Sequence, residues 1–294
     1  MKIAFIGCVN FSFALLETLA DLPEAEIALV VTKSASSANA DFHSLEPLAR
    51  SMGAPCINVD RQPSISLEAE IAKAEADVVF CFGWSHVLPR SVLDAAPGGV
   101  VGYHPALLPK NRGRHPIIWA LALGLPTTGS TFFIMDEGAD SGDILDQAVV
   151  AIDDNDDAGT LYEKLKAEAK RQIKSIVEGL SDGTLVARKQ DNTAANTWRK
   201  RSAADGMIDW RMSATTIHNL VRALAHPYPG AECRYGTQSV KIWRTALVEG
   251  SLKNLEPGKV LRHNGRQLVV QCGDGAICLL DHEFSELPEI GSYL

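Results

Sequence analysis

The sequence predicts an α/β fold, in which a Rossmann-like domain with a parallel-rich central sheet is followed by a small β-barrel-like domain of the OB type. Apolar β-branched runs alternate with helical segments through the first half of the chain, and short strands divided by Gly and Pro follow residue 206. A chain of 294 residues is also long for one domain. We therefore expect a larger domain at 1–190, a linker at 191–205 and a β-rich domain at 206–294.

Four buried strands are predicted in the larger domain. KIAFIGCV at 2–9 and EIALVVT at 26–32 are separated by a helical segment, and DVVFCF at 77–82 and GVVGY at 99–103 follow with a short helix-like segment between them. Alternation of this kind is typical of parallel strands with helices on both faces. Ligands of such sheets bind at the carboxyl ends of the strands.

The clearest predicted helix runs from about 160 to 180, where apolar residues repeat at steps of three and four, with Thr160 and Glu163 as a capping box. The polar stretch RKQDNTAANTWRKRSAADG follows and is expected to connect the domains. A short helix, SATTIHNLVRAL, and the turn HPYPG come next. The predicted strands of the last domain are SVKIWRTALV, GKVLRH, QLVVQC and AICLLD.

Composition and charge argue against several classes of protein. No stretch approaches the roughly 20 apolar residues of a membrane span, and the first residues resemble a buried strand rather than a signal peptide, so a cytoplasmic location is expected. The six cysteines are scattered without zinc spacing, which predicts neither a metal nor a disulfide. The net charge is −8, and residues 205–294 carry 9 Lys+Arg against 10 Asp+Glu, which argues against a nucleic-acid ligand.

Two segments carry side chains suited to chemistry. In GGVVGYHPALLPKNRGRHP, residues 98–116, a strand ends at His104 and continues into a loop with three cations. In GSTFFIMDEGADSGDIL, an apolar strand runs into an acidic loop that contains Asp140. Because both loops leave strand ends, we expect them to bring an imidazole and a carboxylate together.

These segments, with the N-terminal strand and the DWRMSATTIHNLVRALAHPYPGA run, resemble the folate-dependent formyltransferases. That family includes methionyl-tRNA formyltransferase, glycinamide ribonucleotide formyltransferase and the nucleotide-sugar N-formyltransferases. The most specific parts are H-x-x-L-L-P-x-x-R-G at His104–Gly113 and D-x-G-D at Asp140–Asp143, and the resemblance spans nearly the whole chain. It implies a formyl transfer from 10-formyltetrahydrofolate to an amine, without a metal, by an Asn, His and Asp triad in which His104 and Asp140 match.

The Asn of that triad is replaced by Gly102, two residues before His104 on the same strand face. Loss of one donor to a developing oxyanion can cost about 10²- to 10³-fold in rate. Asn111, Thr131, the backbone near Gly102 and an ordered water remain open as replacements. Two simpler interpretations also stay open: His104 as a buried histidine bonded to a backbone carbonyl, and Asp140 as a turn residue beside a glycine.

The resemblance also implies where folate binds, and the residues themselves indicate contacts for a second substrate. The backbone of FGWSHVLP, residues 82–89, corresponds to the family segment that contacts the pterin, with the loop 136–140 closing the same pocket. Its candidate folate contacts are Trp84, Ser85, His86, Val87, Leu88, Asp136 and Gly138. The candidate contacts to a diphosphate, a sugar or a folate tail are Asn10, Phe11, Ser12, Lys110, Arg112 and Arg114. A merely solvated charged loop is the alternative for the three cations, and GCVNFS lacks the G-x-G-x-x-G of dinucleotide sites.

Three acceptor amines compete within the family. The last hundred or so residues argue against glycinamide ribonucleotide, and the near-neutral last domain argues against tRNA, as does TKSASSANADFHS, which carries one Lys33 where the tRNA enzymes have a basic insertion. The HNLVRALAHPYPGA run resembles enzymes that formylate nucleotide-linked 4-amino sugars for surface polysaccharides. The tRNA enzyme, a formyltetrahydrofolate hydrolase and a non-catalytic folate-binding protein remain alternatives. The oligomeric state is open, with a homodimer as one alternative.

Overall fold

The computed structural model describes residues 1–36, 40–250 and 254–294. Residues 37–39 of the TKSASSANADFHS segment therefore lie outside the described residues. Two compact units are present. The first unit contains Met1–Gly113, Gly129–Val150 and Glu163–Thr197, and the second unit contains Arg114–Thr128, Ala151–Tyr162 and Trp198–Leu294.

The described helices and strands follow one another in chain order. The strands are β1 (Lys2–Gly7), β2 (Glu26–Thr32), β3 (Cys56–Asn58), β4 (Val78–Phe82), β5 (Val100–His104), β6 (Arg112–Gly113), β7 (Thr127–Ile134), β8 (Ile144–Ala151), β9 (Thr197–Trp198), β10 (Ala231–Tyr235), β11 (Gln238–Val248), β12 (Val260–Asn264), β13 (Gln267–Gln271) and β14 (Ala276–His282). The α-helices are α1 (Asn10–Ala20), α2 (Glu46–Ser51), α3 (Leu67–Lys73), α4 (Arg90–Leu93), α5 (Pro116–Ala122), α6 (Ala158–Ser181) and α7 (Ala214–Ala223). Short 3₁₀ turns lie at Asn192–Ala194 and Ala203–Gly206.

A seven-stranded sheet in the order β3-β2-β1-β4-β5-β7-β8 forms the centre of the first unit. The four pairings from β3 to β5 are parallel. Every residue of β4 is buried, as are all residues of β1 after its first, which explains why these strands are almost continuously apolar. The predicted Rossmann-like, parallel-rich sheet is confirmed.

Strand β7 departs from the parallel pattern that the sequence predicts. It runs antiparallel to β5, with Val101 opposite Ile134 and His104 opposite Thr131. The end of β7 therefore lies beside the start of β5, and not beside His104. The loop after β7 must return along the sheet, and it does so with a hydrogen bond of 2.8 Å from the Ile134 N–H to the Asp143 carbonyl.

Helix α6 confirms the predicted long helix but begins two residues earlier, at Ala158. The expected capping box of Thr160 and Glu163 is wrong. Instead the Asp157 carboxylate accepts from the Thr160 N–H at 2.9 Å, and the Thr160 hydroxyl accepts from the Asp157 N–H at 3.0 Å. Asp157 is thus the capping residue, because its side chain reaches the backbone three residues on.

The second unit contains an antiparallel sheet in the order β10-β11-β14-β13-β12, which confirms the expected β-rich C-terminal region. Its first strand, β10, follows directly after the predicted turn and had no clear signal in the sequence. Helix α7 begins where Ser213 accepts a hydrogen bond from the Thr216 N–H at 3.1 Å. Within the described ranges, no helix is both long and apolar enough to span a membrane.

Candidate functional site

His104 closes β5 and is 4% exposed. Its Nε2 lies 2.7 Å from the Asn111 carbonyl oxygen, so this nitrogen must carry the hydrogen and donate it. Its Nδ1 lies 3.5 Å from Asp140 Oδ2. The imidazole therefore lies between two oxygen acceptors, one of which is the carboxylate that the sequence pairs with it.

Asp140 lies in the loop after β7, in the left-handed backbone region at φ 54°. Its Oδ2 accepts from the Gly113 N–H at 2.8 Å, which fixes the carboxylate beside the signature loop. Gly142 is needed for this path, since a Cβ there would lie 1.7 Å from the Ile134 carbonyl oxygen. The D-x-G-D element thus positions Asp140 by tight backbone packing.

Gln190 joins the two loops and has no motif that could have revealed it in the sequence. Its amide nitrogen donates to the carbonyls of Asp140 at 2.9 Å and Gly142 at 2.7 Å. Its amide oxygen accepts from Arg112 Nε at 3.2 Å and Nη2 at 2.7 Å. One half-buried side chain therefore fastens the loop of Asp140 to the signature loop, and it comes from the end of the predicted first domain.

Asn111 is held by a second residue of the polar stretch. Its N–H donates to Asn196 Oδ1 at 2.8 Å, and Asn196 Nδ2 donates to Asn111 Oδ1 at 3.1 Å. These bonds support the left-handed backbone of Asn111, at φ 63°, and aim its carbonyl at His104. The predicted linker therefore contributes to the candidate site.

Apolar side chains surround the Cα of Gly102, where the family resemblance expects an amide. A Cβ at this position would lie 2.8 Å from Met135 Cγ and 3.0 Å from Phe133 Cζ. Of the alternative donors, Asn111 has its side-chain oxygen bonded, since Oδ1 accepts from Asn196 Nδ2 at 3.1 Å. The Thr131 hydroxyl donates to the Ala106 carbonyl at 2.6 Å.

Two other titratable groups near Gly102 are poorly suited to proton transfer. Burial raises the pKa of the Cys81 thiol to about 12, with a smaller contribution from Cys8, and Cys81 pairs with Gly102 across the sheet. Burial also raises the pKa of the Tyr103 phenol. Both groups therefore stay neutral at physiological pH.

We predict that Gly102→Asn lowers the free energy of unfolding by about 1–3 kcal/mol, because its Cβ overlaps Met135 and Phe133. The double variant Gly102→Asn with Met135→Ala is expected to recover part of that loss, since the nearest side chain is then truncated. Urea denaturation of the two variants and of Met135→Ala alone measures the coupling between the positions. A Gly102→Asn protein as stable as the parent would contradict this packing.

The 82–89 segment and the loop 136–140 adjoin each other. Residues 84–89 have neither helix nor strand, which leaves an irregular backbone at the end of β4. Arg90 follows this segment, and its Nη1 lies 3.5 Å from Glu137 Oε1. Met135 and Trp84 both pack against the buried apolar cluster that contains Leu88.

The side chains of the predicted folate contacts differ in their exposure to solvent. Leu88 is 6% exposed, so a ligand could reach only its backbone, whereas Val87 is 93% exposed. His86 Nδ1 lies 3.1 Å from Lys33 Nζ, and that ammonium lies 5.0 Å from the centre of the half-buried Trp84 ring. Ser85 is also half-buried.

The acidic loop has its own internal bonds. Asp136 Oδ1 accepts from the Gly138 N–H at 3.0 Å and from the Ser141 hydroxyl at 2.7 Å. A Cβ at Gly138 would lie 2.0 Å from Ser141 Oγ. Asp136 and Gly138 are exposed and shape the loop.

The side chains of Phe11 and Ser12, two of the predicted substrate contacts, are buried. Phe11 is 7% exposed, with its ring 4.3 Å from that of Tyr103, and the Ser12 hydroxyl donates to the Phe82 carbonyl at 2.6 Å. In this turn only the Asn10 side chain is exposed.

The three cations of the signature segment have different surroundings. Lys110 is exposed in the first unit, and Arg114 is exposed at the start of the second unit. Arg112 is half-buried and bonds Gln190 and Asn192. Among the described residues, no group of three His, Cys, Asp or Glu side chains is placed to hold a metal ion.

Comparison with known protein families gives two matches, one to each part of the chain. The family described as formyl transferase matches residues 1–177, and the family described as formyl transferase, C-terminal domain, matches residues 200–290.

Solved structures with the same fold include three informative cases. WlaRD, a sugar 3N-formyl transferase crystallised with dTDP and 5-N-formyl-THF, has a TM-score of 0.70 at 17% identity, covering 98% of this chain and 99% of that chain. An N-formyltransferase from Helicobacter canadensis, in complex with folinic acid and dTDP-3-aminofucose, has a TM-score of 0.71 at 17% identity, covering 95% and 98%. Methionyl-tRNA formyltransferase from Clostridium thermocellum has a TM-score of 0.63 at 17% identity, covering 85% and 95%. At these identities the likeness shows the fold alone.

Proposed function

Since this chain belongs to the formyltransferase family, we propose that it transfers a formyl group from 10-formyltetrahydrofolate to the primary amine of a nucleotide-linked amino sugar. The observation that carries the proposal is the separation of 3.5 Å between His104 Nδ1 and Asp140 Oδ2, on loops with the family's two signatures. Formyl transfer needs a group that accepts a proton from the amine and passes one to the departing nitrogen. Imidazole, with an unperturbed pKa of about 6.5, suits both transfers near neutrality.

In the proposed reaction, His104 works through Nε2 and is oriented through Nδ1. When bound, 10-formyltetrahydrofolate supplies the formyl carbon. A hydrogen on Nδ1 points to the Asp140 carboxylate, and the lone pair of Nε2 takes the proton that leaves the amine. His104 Nε2 then gives that proton to the folate nitrogen.

The proposed working tautomer differs from the one that the contacts of His104 select. In the structure, Nε2 donates to the Asn111 carbonyl at 2.7 Å and cannot accept a proton there. For the proposed reaction, Nε2 must therefore release the Asn111 carbonyl and contact the substrate amine instead. The imidazole hydrogen must then lie on Nδ1. Since Asn196 bonds both the backbone and the side chain of Asn111, this exchange involves the polar stretch.

The irregular segment 84–89 supports binding of the folate by its backbone, because its peptide groups are outside any helix or strand. The adjoining loop 136–140 is proposed to close the same pocket. Lys110 and Asn10, both exposed, are the proposed contacts to anionic or sugar oxygens in the first unit. Arg112 is proposed to position the signature loop instead, because Gln190 and Asn192 bond its guanidinium.

A nucleotide sugar is favoured as acceptor by the sequence of the last domain, and two structural neighbours were crystallised with dTDP or dTDP-3-aminofucose. The HNLVRALAHPYPGA run favours a 4-amino sugar, whereas those neighbours concern 3-amino sugars. Both amine positions therefore belong in the assay. A role in the synthesis of surface polysaccharides is part of the same proposal.

The test combines the purified protein, 10-formyltetrahydrofolate and dTDP-linked 3-amino and 4-amino sugars. Tetrahydrofolate release and the product mass are measured together. We expect release that depends on one of the amines and a product heavier by one formyl group. Release without any amine would instead indicate a hydrolase, and folate binding without release would indicate a non-catalytic protein.

We predict weak binding to initiator tRNA with a shallow dependence on salt. Few phosphate contacts are expected from a last domain with 9 Lys+Arg and 10 Asp+Glu in residues 205–294. Filter binding across a salt series measures the slope of log K against log salt. A steep slope, together with formylation of methionyl-tRNA, would favour the tRNA alternative.

We predict that Gln190→Ala lowers kcat by about 10- to 100-fold, because small displacements of reacting groups have effects of this size. The free energy of unfolding should fall by about 2–4 kcal/mol, since four hydrogen bonds are lost. Steady-state kinetics and urea denaturation measure the two effects.

Two further variants separate positioning from overall stability. Gln190→Glu keeps an oxygen for Arg112 but loses the donor to the Asp140 and Gly142 carbonyls, so its kcat should also fall. Asn192→Ala removes only one exposed bond to Arg112, at 2.8 Å, and should change kcat by less than about threefold. Equal losses in Asn192→Ala and Gln190→Ala would count against the role of Gln190.

A further inference from the structure

A pocket of about 300 Å³ lies beside β3, the edge strand of the seven-stranded sheet. Its walls come from α2, from β3 and from the turn after β3, with Glu46, Arg50, Cys56, Asn58 and Arg61 among the lining residues. None of these belongs to the candidate site around His104. The volume is at the lower end of the range for pockets that hold small molecules.

Positive charge is in excess in this pocket. Arg50 Nη2 lies 3.3 Å from Glu46 Oε1, and Arg61 Nη1 lies 3.2 Å from both Glu46 oxygens. Each guanidinium thus uses one nitrogen on the same carboxylate, so two cations face one anion. Burial, with Glu46 adding to it, raises the pKa of the Cys56 thiol, so Cys56 adds no negative charge at neutral pH.

Asn58 gives an independent indication of a ligand. This last residue of β3 is 5% exposed, and it lines the pocket at the carboxyl edge of the sheet. Its Oδ1 accepts from the Asp60 N–H at 3.2 Å, which fixes the orientation of the amide, while its Nδ2 has no hydrogen-bond acceptor among the described residues. A buried donor without a partner is costly, and because this nitrogen has almost no accessible surface, an acceptor oxygen from the pocket reaches it only when the lining side chains move aside.

We infer that this pocket binds a small organic anion, a carboxylate or a phosphate monoester, with one oxygen accepting from Asn58 Nδ2 and others from Arg50 and Arg61. The planar guanidinium matches both anions, because each presents paired oxygens. The net excess of one positive charge balances a carboxylate fully and a phosphate monoester, with a charge of about −1.5 to −2 near pH 7, in part. This inference does not rest on formyl transfer, and either proposal can fail without the other.

The test is an NMR titration of the whole protein at constant ionic strength, following the side-chain amide of Asn58. The probes are inorganic phosphate, glycerol 3-phosphate and acetate. A saturating shift with the phosphate probes identifies a phosphate site, and one with acetate identifies a carboxylate site. Shifts that stay linear with every probe would overturn the inference.

Variants make the result specific to this pocket. Arg61→Gln is expected to weaken binding by about tenfold or more, since a charge-assisted bond is lost. Asn58→Asp should abolish binding, because it places a carboxylate against the anion. Arg171→Gln is the matched control and should bind as the parent does, since Arg171 is 66% exposed against 63% for Arg61 and also pairs with a glutamate.

Unchanged affinity in Arg61→Gln would overturn the inference, as would equal weakening in Arg171→Gln. If Asn58→Asp does not fold, Arg50→Gln takes its place, because this side chain is 80% exposed and removable without a cavity. Binding to Arg50→Gln should also weaken by about tenfold. Here the shift of the Asn58 amide remains the readout.

Discussion

Replacing His104 with glutamine is expected to lower formyl transfer by about 10³-fold, within the range of 10²- to 10⁴-fold for the loss of a general acid-base group. Glutamine carries an amide N–H that can donate to the Asn111 carbonyl in place of Nε2. The variant should therefore fold as the parent does while losing proton transfer. Single-turnover rates with the amino sugar that gives product measure the loss.

His282→Gln is the matched control for this variant. His282 Nε2 also lies 2.7 Å from a backbone carbonyl, that of Arg266. If glutamine substitution acted only by disturbing such a bond, both variants would behave alike. Near-parental rates in a folded His104→Gln protein would leave His104 as a buried histidine with a structural role only.

The second large effect is expected from Asp140→Asn, with a loss of about 10²- to 10³-fold in kcat. Asparagine tolerates the left-handed backbone that Asp140 adopts at φ 54°, and its side-chain oxygen can still accept from the Gly113 N–H. The substitution therefore removes the charge beside His104 Nδ1 with little change in conformation.

Asp146→Asn is the control for Asp140→Asn. Asp146 is also half-buried in the first unit, and its carboxylate accepts from the Gln147 N–H at 2.9 Å. Its rate should stay within about threefold of the parent. The assignment of Asp140 does not survive if the two variants lose activity equally.

Much of the fold could be predicted because burial imposes a pattern on the sequence. Strands β1, β2, β4 and β5 are mostly apolar runs, and α6 carries an apolar stripe at helical spacing, so each was recognisable without a structure. The direction of β7 was not, since the pattern of a buried strand is the same in either direction. The start of α6 was missed because the reciprocal side-chain and backbone hydrogen bonds join Asp157 and Thr160, three residues before the expected pair of Thr160 and Glu163.

Some residues of the candidate site could likewise be predicted from the sequence, and others could not. His104 and Asp140 lie in recognisable signatures, and the structure brings them within 3.5 Å. Gln190 and Asn196 lie in a polar stretch where glutamine and asparagine are also typical of solvent-exposed loops, so nothing local distinguishes them. The burial of Phe11 and Ser12 could not be predicted, because it depends on Tyr103 and Phe82, which are distant in sequence.

The position of Gln190 has a consequence for synthesis of the protein. Gln190 follows Arg112 by 78 residues and Asp140 by 50 residues. At a translation rate of about 5–20 residues per second, Gln190 is synthesised about 3–10 s after Asp140. A product truncated at residue 177, where the first family match ends, would retain His104 and Asp140 but lack Gln190, which bonds both of their loops. Ribosome-released fragments of that length should be inert even where their sheet has formed.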